Sequence, residues 1–191
     1  MDAWWTTLWD HGYWPVQWVA VLCIAVVAAV TDCRTRRIPN LLTMPAFVGG
    51  LCWAVMVGGL TGLADSLLAA VVVMAPFVFL FVFAGGGAGD AKLMAAIGAW
   101  LGIIGGLLTL VMVMIAGGLL SVIMMIYHRN GRDVAANFQW VLDSLRTALF
   151  KRGRARGDYV LPSVEVLHTM PYGLAILFGT CIASGGVWLW H

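Results

Sequence analysis

Two aspartates, Asp32 and Asp90, carry the chemistry open to this chain. Each lies at the edge of a long apolar stretch, inside a short segment of turn-forming or cationic residues. The first segment is Thr31-Asp32-Cys33-Arg34-Thr35-Arg36-Arg37-Ile38-Pro39-Asn40 and the second is Gly85-Gly86-Gly87-Ala88-Gly89-Asp90-Ala91-Lys92-Leu93. A carboxylate beside a bilayer is costly to keep, so its presence there asks for a function. Two on one membrane face suit acid–base catalysis, provided the helices bring them together. The rival reading of either residue alone is a helix cap or a topology anchor at the interface.

The neighbours of these aspartates have physical roles of their own. The glycines before Asp90, Gly87 and Gly89 among them, let backbones approach closely and adopt conformations closed to bulkier residues. Ile38-Pro39-Asn40 is a stop and restart: Pro39 disfavours helix at the preceding residue, and Asn40 is a competent N-cap for the next element. Lys92 could tune the acidic pair or touch substrate, but a lysine at a cytoplasmic helix end is ordinarily an anchor. Arg34, Arg36 and Arg37 are topology signals by the same argument. His168 has no convergent partners with which to hold a metal, and Cys33 has no histidine arranged to activate it.

Those residues must be positioned by membrane helices. Of the 191 residues, 62% are hydrophobic and 10% charged, well outside the range of about 45–50% apolar and about 25% charged that water-soluble domains keep. Residues 1–14 lack the cationic start of a secretory signal, and no small-residue cleavage site follows the first apolar run, which is therefore expected to stay as a membrane helix. With about 20 apolar residues needed per crossing, the spans fall at 15–31, 41–60, 64–84 (with Pro76 as a kink), about 91–104, about 106–127 and 170–190. The glycines at 102, 105 and 106 mark the break between the fourth and fifth. Cys23, Cys33, Cys52 and Cys181 form no Cys-x-x-Cys pair, so neither zinc nor a disulfide framework is supported.

Charge orients this set. All eleven Lys and Arg residues lie at 34–37, at 92 or between 129 and 156. These are the loops after spans one, three and five, so the positive-inside rule makes that side cytoplasmic and puts both termini outside. Trp4, Trp5, Trp9, Trp14, Trp100, Trp188 and Trp190 then form an aromatic belt at the outer interface. Residues 128–168 make a cytoplasmic loop too short for its own core. Its apolar residues Val134, Phe138, Val141, Leu142, Leu145 and Leu149 recur at helical spacing, before a basic run at 151–156. An amphipathic helix on the inner leaflet is the expected form, ahead of a substrate- or partner-binding element. No nucleic-acid module is visible. The expectation is an all-α membrane protein: one domain over 1–191, a six-helix transmembrane bundle with a cytoplasmic amphipathic segment.

The pattern Asp32 with Ile38-Pro39-Asn40, followed by Gly87-Ala88-Gly89-Asp90-Ala91-Lys92-Leu93, resembles the type IV prepilin peptidases, which are GxGD intramembrane aspartyl proteases. Met170-Pro171-Tyr172-Gly173-Leu174-Ala175-Ile176 looks like their small Flp/Tad-type branch. The Gly-x-Gly-Asp run alone is weak, but both motifs in order with matching topology are specific. The resemblance implies a multi-pass protein of the bacterial inner membrane that removes the leader of Flp-type prepilins at the cytoplasmic face, with Asp32 and Asp90 catalytic. Its partners would be a prepilin helix, membrane lipid and pilus-assembly or secretion machinery, with no cofactor. The paired Cys-x-x-Cys region that accompanies methylation in larger members has no counterpart here, so peptidase activity without methyl transfer is expected. In the implied mechanism one aspartate is ionised and the other protonated. Their own helix ends favour ionised Asp90, at an N-terminus, and protonated Asp32, at a C-terminus. The alternative is a non-enzymatic polytopic protein, such as a small proton-coupled transporter or an assembly scaffold. Transporter carboxylates more often lie at the bilayer midplane.

Overall fold

A helix rises 1.5 Å per residue and a bilayer core is about 30 Å thick, so apolar runs much longer than about 20 residues must break or fold back. The computed structural model describes residues 14–84, 87–128 and 172–190. They form four helices: α1 (Trp14–Thr35), α2 (Asn40–Ala84), α3 (Ala88–His128) and α4 (Tyr172–Trp190). All four are long and apolar enough to cross a membrane. α1 and α4, at 22 and 19 residues, match one crossing each, whereas α2 and α3 run to 45 and 41. The amphipathic segment expected within 128–168 and the tryptophans at 4, 5 and 9 lie outside the described residues.

Both long helices break at a glycine with positive φ. Gly59 has φ 57° and ψ −141°, and Gly102 has φ 67° and ψ −173°, a region of backbone space that belongs almost solely to glycine. Beyond each break the chain doubles back. A side chain at Gly62 would run into the carbonyl of Ala54, and one at Gly106 would sit 3.5 Å from the Cα of Gly98. Residues eight apart in a straight helix are about 12 Å apart. The break in α3 therefore falls at the first of the three glycines that marked it in the sequence. α2 turns at Gly59, while Pro76 sits inside its second arm with helical geometry around it.

The turn in α3 carries a cap. The carboxylate of Asp65, on the second arm of α2, accepts a hydrogen bond from the N–H of Ile103 at 3.2 Å, which satisfies one of the free donors at the start of the new arm. Nearby, the Ser66 hydroxyl donates to the Ala99 carbonyl at 2.6 Å and the Trp100 indole to the Ala46 carbonyl at 2.8 Å. Such bonds fasten the two arms of α2 to the first arm of α3.

That first arm is the centre of the bundle. Leu93, Met94, Ala96 and Ile97 are fully buried, and Ala91, Ala95 and Ala99 nearly so. Burial on every side is what a helix surrounded by others requires. Val21 and Ala28 of α1, Val73 and Phe77 of α2, Val113 from the second arm of α3, and Ile176 of α4 complete the core. Lipid is as apolar as leucine, so packing and small residues drive association here. A Cβ at Gly98 would stand 2.9 Å from the Ala69 carbonyl oxygen.

α1 ends on a residue that glycine usually supplies. Arg36 has φ 54°, and its N–H closes on the Asp32 carbonyl at 2.8 Å. A left-handed cap of this kind is easy for glycine and hard for β-branched residues. Arg36→Gly and Arg36→Val remove the same charge, so their difference isolates the backbone. The valine protein is expected to be less stable by about 1–2 kcal/mol in detergent unfolding; equal stabilities would mean that the cap has relaxed.

Candidate active site

The two sequence motifs interlock. Ile38 packs on Gly89, where an added Cβ would lie 3.1 Å from the Ile38 Cβ. The Lys92 ammonium donates to Asn40 Oδ1 at 2.8 Å. Asn40 therefore spends its side chain on a neighbouring helix and does not act as the local N-cap that its residue type suggests. The first turn of α2 is closed by the Pro39 carbonyl, which accepts from the N–H groups of Leu42 at 3.0 Å and Thr43 at 3.3 Å. A double-mutant cycle on Lys92→Met and Asn40→Ala should return a coupling of about 0.5–1 kcal/mol, modest because the pair is exposed. A coupling near zero would reduce the contact to coincidence.

Asp90 enters on the first turn of α3. Its N–H bonds back to the Gly87 carbonyl at 3.2 Å, and its side chain curls over the helix start. A Cβ on Gly87 would come within 2.7 Å of Asp90 Oδ2, so the missing side chain is the space the carboxylate uses. Gly85 and Gly86 lie outside the described residues.

Asp32 sits three residues from the end of α1 and is only 8% exposed. Burying a carboxylate this far is expensive unless it is hydrogen-bonded. The partner is the N–H of Gly173, which donates to Oδ2 at 2.8 Å across a sequence separation of 141 residues. The ordered segment around Asp32 also includes Thr31, whose hydroxyl turns back onto the Ala28 carbonyl at 2.9 Å, and the exposed Cys33.

The two carboxyl groups are near enough for the charge of Asp32 to act on Asp90, and the charge of Asp90 in turn acts on Tyr172. Asp32, Asp90, Gly87, Gly89, Lys92, Ile38, Pro39 and Asn40 thus gather where α1 ends and α2 and α3 begin. Gly173 and Tyr172 join them from α4. In the sequence these two appeared only as part of a motif, without a role. The run Pro171-Tyr172-Gly173 at a helix start was the available signal, since a glycine there offers an unobstructed N–H. Among the described residues no group of three or more His, Cys, Asp or Glu side chains converges as a metal site. What the arrangement offers is a pair of carboxyls at one end of the bundle, Asp32 buried and Asp90 closer to solvent.

Residues 19–122, more than half of the chain and inclusive of both aspartate motifs, match the type IV leader peptidase family. The chain is also similar to the prepilin leader peptidase/N-methyltransferases of Burkholderia pseudomallei strains 1026b and K96243, at 39% identity over 93 residues in each case. That similarity covers 42% of this chain and 28% of each relative, so the matched stretch spans little more than a quarter of their length. No solved structure matches the chain. With the two motifs meeting in space and the family match running through both, the chain belongs to the type IV leader peptidase family.

Proposed function

We propose that the protein is an aspartic endopeptidase of the bacterial inner membrane that removes the leader peptide from type IV prepilins, those of the Flp type in particular. The observation that carries this reading is the meeting of the two aspartate motifs, with Ile38 packed on Gly89 and Lys92 bonded to Asn40 where α1 ends and α2 and α3 begin. Coupled carboxyls hold one negative charge more readily than two. One group then takes a proton from water as the oxygen attacks the scissile carbonyl, and the other supplies a proton to the carbonyl oxygen. Gly87, Gly89, Ile38, Pro39, Asn40 and Lys92 are the residues that hold the pair in place.

The same reading takes each of α2 and α3 as a hairpin crossing the membrane twice. The reversals at Gly59 and Gly102 support it, and with α1 and α4 it makes six crossings. The ends of the chain then lie outside and the aspartates at the cytoplasmic face, with residues 128–168 on the same side. The substrate is a prepilin presented as a single apolar helix, in contact with lipid and with pilus-assembly machinery. Processing of a co-expressed type IV prepilin, followed by its change in size, tests the reading. An intact prepilin beside abundant, inserted protein would favour a transporter or scaffold.

A further inference from the structure

The first turn of α4 touches all three other described helices. Tyr172 sets its ring edge against Phe77 of α2, with centroids 5.8 Å apart and planes at 76°. Its hydroxyl fills the notch at Gly117 of α3, where a Cβ would come within 2.6 Å of that oxygen. One residue on, Gly173 faces α1. A Cβ there would stand 3.0 Å from both Cβ and Oδ2 of Asp32 and 3.2 Å from the Ala29 Cα. The first turn of α4 is thus held by three helices, and a side chain at 173 would keep the 2.8 Å bond only if Asp32 and α1 gave way by a few tenths of an ångström.

We infer that Gly173 is the positioning residue of the aspartate pair: its N–H holds Oδ2 of Asp32 as an acceptor, making Asp32 the base and Asp90 the proton donor. This rests on the peptidase reading above. Oδ2 already has one lone pair engaged by the Gly173 N–H, which leaves Oδ1 the freer acceptor for the proton of water. A direct hydrogen bond from a helix N-terminus also supports a negative carboxylate more strongly than the dipole of a helix end alone. The roles therefore come out opposite to those suggested by each aspartate's own helix, because the deciding donor belongs to a third helix. The ionisable groups near Asp32 include Cys33, Arg34, Arg36 and Arg37 on its own segment, Asp90 on α3 and Tyr172 beside Gly173 on α4, while the Lys92 ammonium is turned onto Asn40 of α2.

The chemistry balances with these groups alone. Water gives one proton to Asp32 Oδ1 as its oxygen bonds to the scissile carbon, and Asp90 gives its proton to the carbonyl oxygen, forming a geminal diol. The diol then returns a proton to Asp90 as the C–N bond breaks. The leaving nitrogen takes the proton held by Asp32, which yields a carboxylic acid and an amine.

The test compares Asp32→Asn with Asp90→Asn in the full chain, reconstituted in phospholipid vesicles with a purified type IV prepilin. An amide at position 90 can still donate a hydrogen bond to the carbonyl oxygen, whereas an amide at 32 cannot take water's proton. Asp90→Asn is expected to keep a kcat at least about tenfold above that of Asp32→Asn. The reverse order, or equal rates, overturns the assignment. Wild-type rates in both proteins overturn the aspartyl mechanism, and an intact prepilin beside the inserted wild-type protein overturns the peptidase reading itself. Gly173→Ala retains the N–H but displaces the carboxylate. It is expected to lower kcat about 100-fold with KM within about twofold while the protein stays folded in detergent. A folded Gly173→Ala protein with wild-type kcat removes Gly173 from the role. If that variant does not fold, the asparagine pair still decides.

Discussion

Replacing either aspartate by asparagine is expected to slow prepilin cleavage about 10²–10⁴-fold, the usual contribution of a positioned acid or base, while the chain still inserts and folds. Asparagine is the informative choice because of the packing around Asp32. The side chain is buried and its Oδ2 accepts the Gly173 N–H, and an amide oxygen can accept the same bond. Alanine would instead strand that N–H, at a cost of about 1–3 kcal/mol, and would confuse lost chemistry with lost structure. At position 90 the space left by Gly87 takes an amide as readily as a carboxylate. The measurement is the initial rate of leader removal in vesicles at fixed protein, alongside the fraction inserted. Normal processing by both inserted variants would end the case for an aspartyl mechanism.

The second large effect is structural and lies at the opposite end of the helices from the aspartates. Gly102→Ala should destabilise the chain by at least about 1 kcal/mol more than Gly59→Ala. Both glycines occupy backbone conformations that cost an L-residue of order 1–3 kcal/mol. A Cβ at Gly59 meets nothing within 4 Å, but one at Gly102 collides with the Asp65 carboxylate that caps Ile103. Loss of a cap adds about 0.5–2 kcal/mol. Unfolding in mixed micelles, titrated with a denaturing detergent, measures the difference. In a Gly102→Ala background Asp65→Ala should cost almost nothing further, since the two changes remove one interaction. Equal losses at Gly59 and Gly102 would show the cap to be idle.

How much of this could be seen beforehand depends on the range of the interaction. The apolar runs marked the helical stretches, although the six expected spans appear as four described helices, and the glycine cluster at 102–106 located the turn in α3, because both signals are local. Asp32 and Asp90 stood out because a charge at the edge of a membrane run is rare. Asp65 belongs to the same class, a lone acid in an apolar stretch, but its cap on Ile103 joins residues 38 apart and leaves no local pattern. The reversal at Gly59 falls one residue before the end of the span expected at 41–60. Asn40 shows local propensity overruled: its type suits a cap, but Lys92 lies 52 residues away in sequence and within 2.8 Å in space. The donor to Asp32 was the least legible contact of all. A backbone N–H has no letter in the sequence, and the 141-residue separation of its partners leaves no local pattern.

That last separation also has a temporal meaning. Synthesis runs from the N-terminus, so both aspartates are in place long before residue 172 leaves the ribosome. Until α4 docks, Asp32 has no Gly173 N–H to fix its oxygen, and the notch at Gly117 stands without the Tyr172 hydroxyl. The two acids are made early and armed late. On the proposed peptidase reading, a chain made in this order completes its catalytic pair only with the last described helix, which would serve as a safety catch through its own biogenesis.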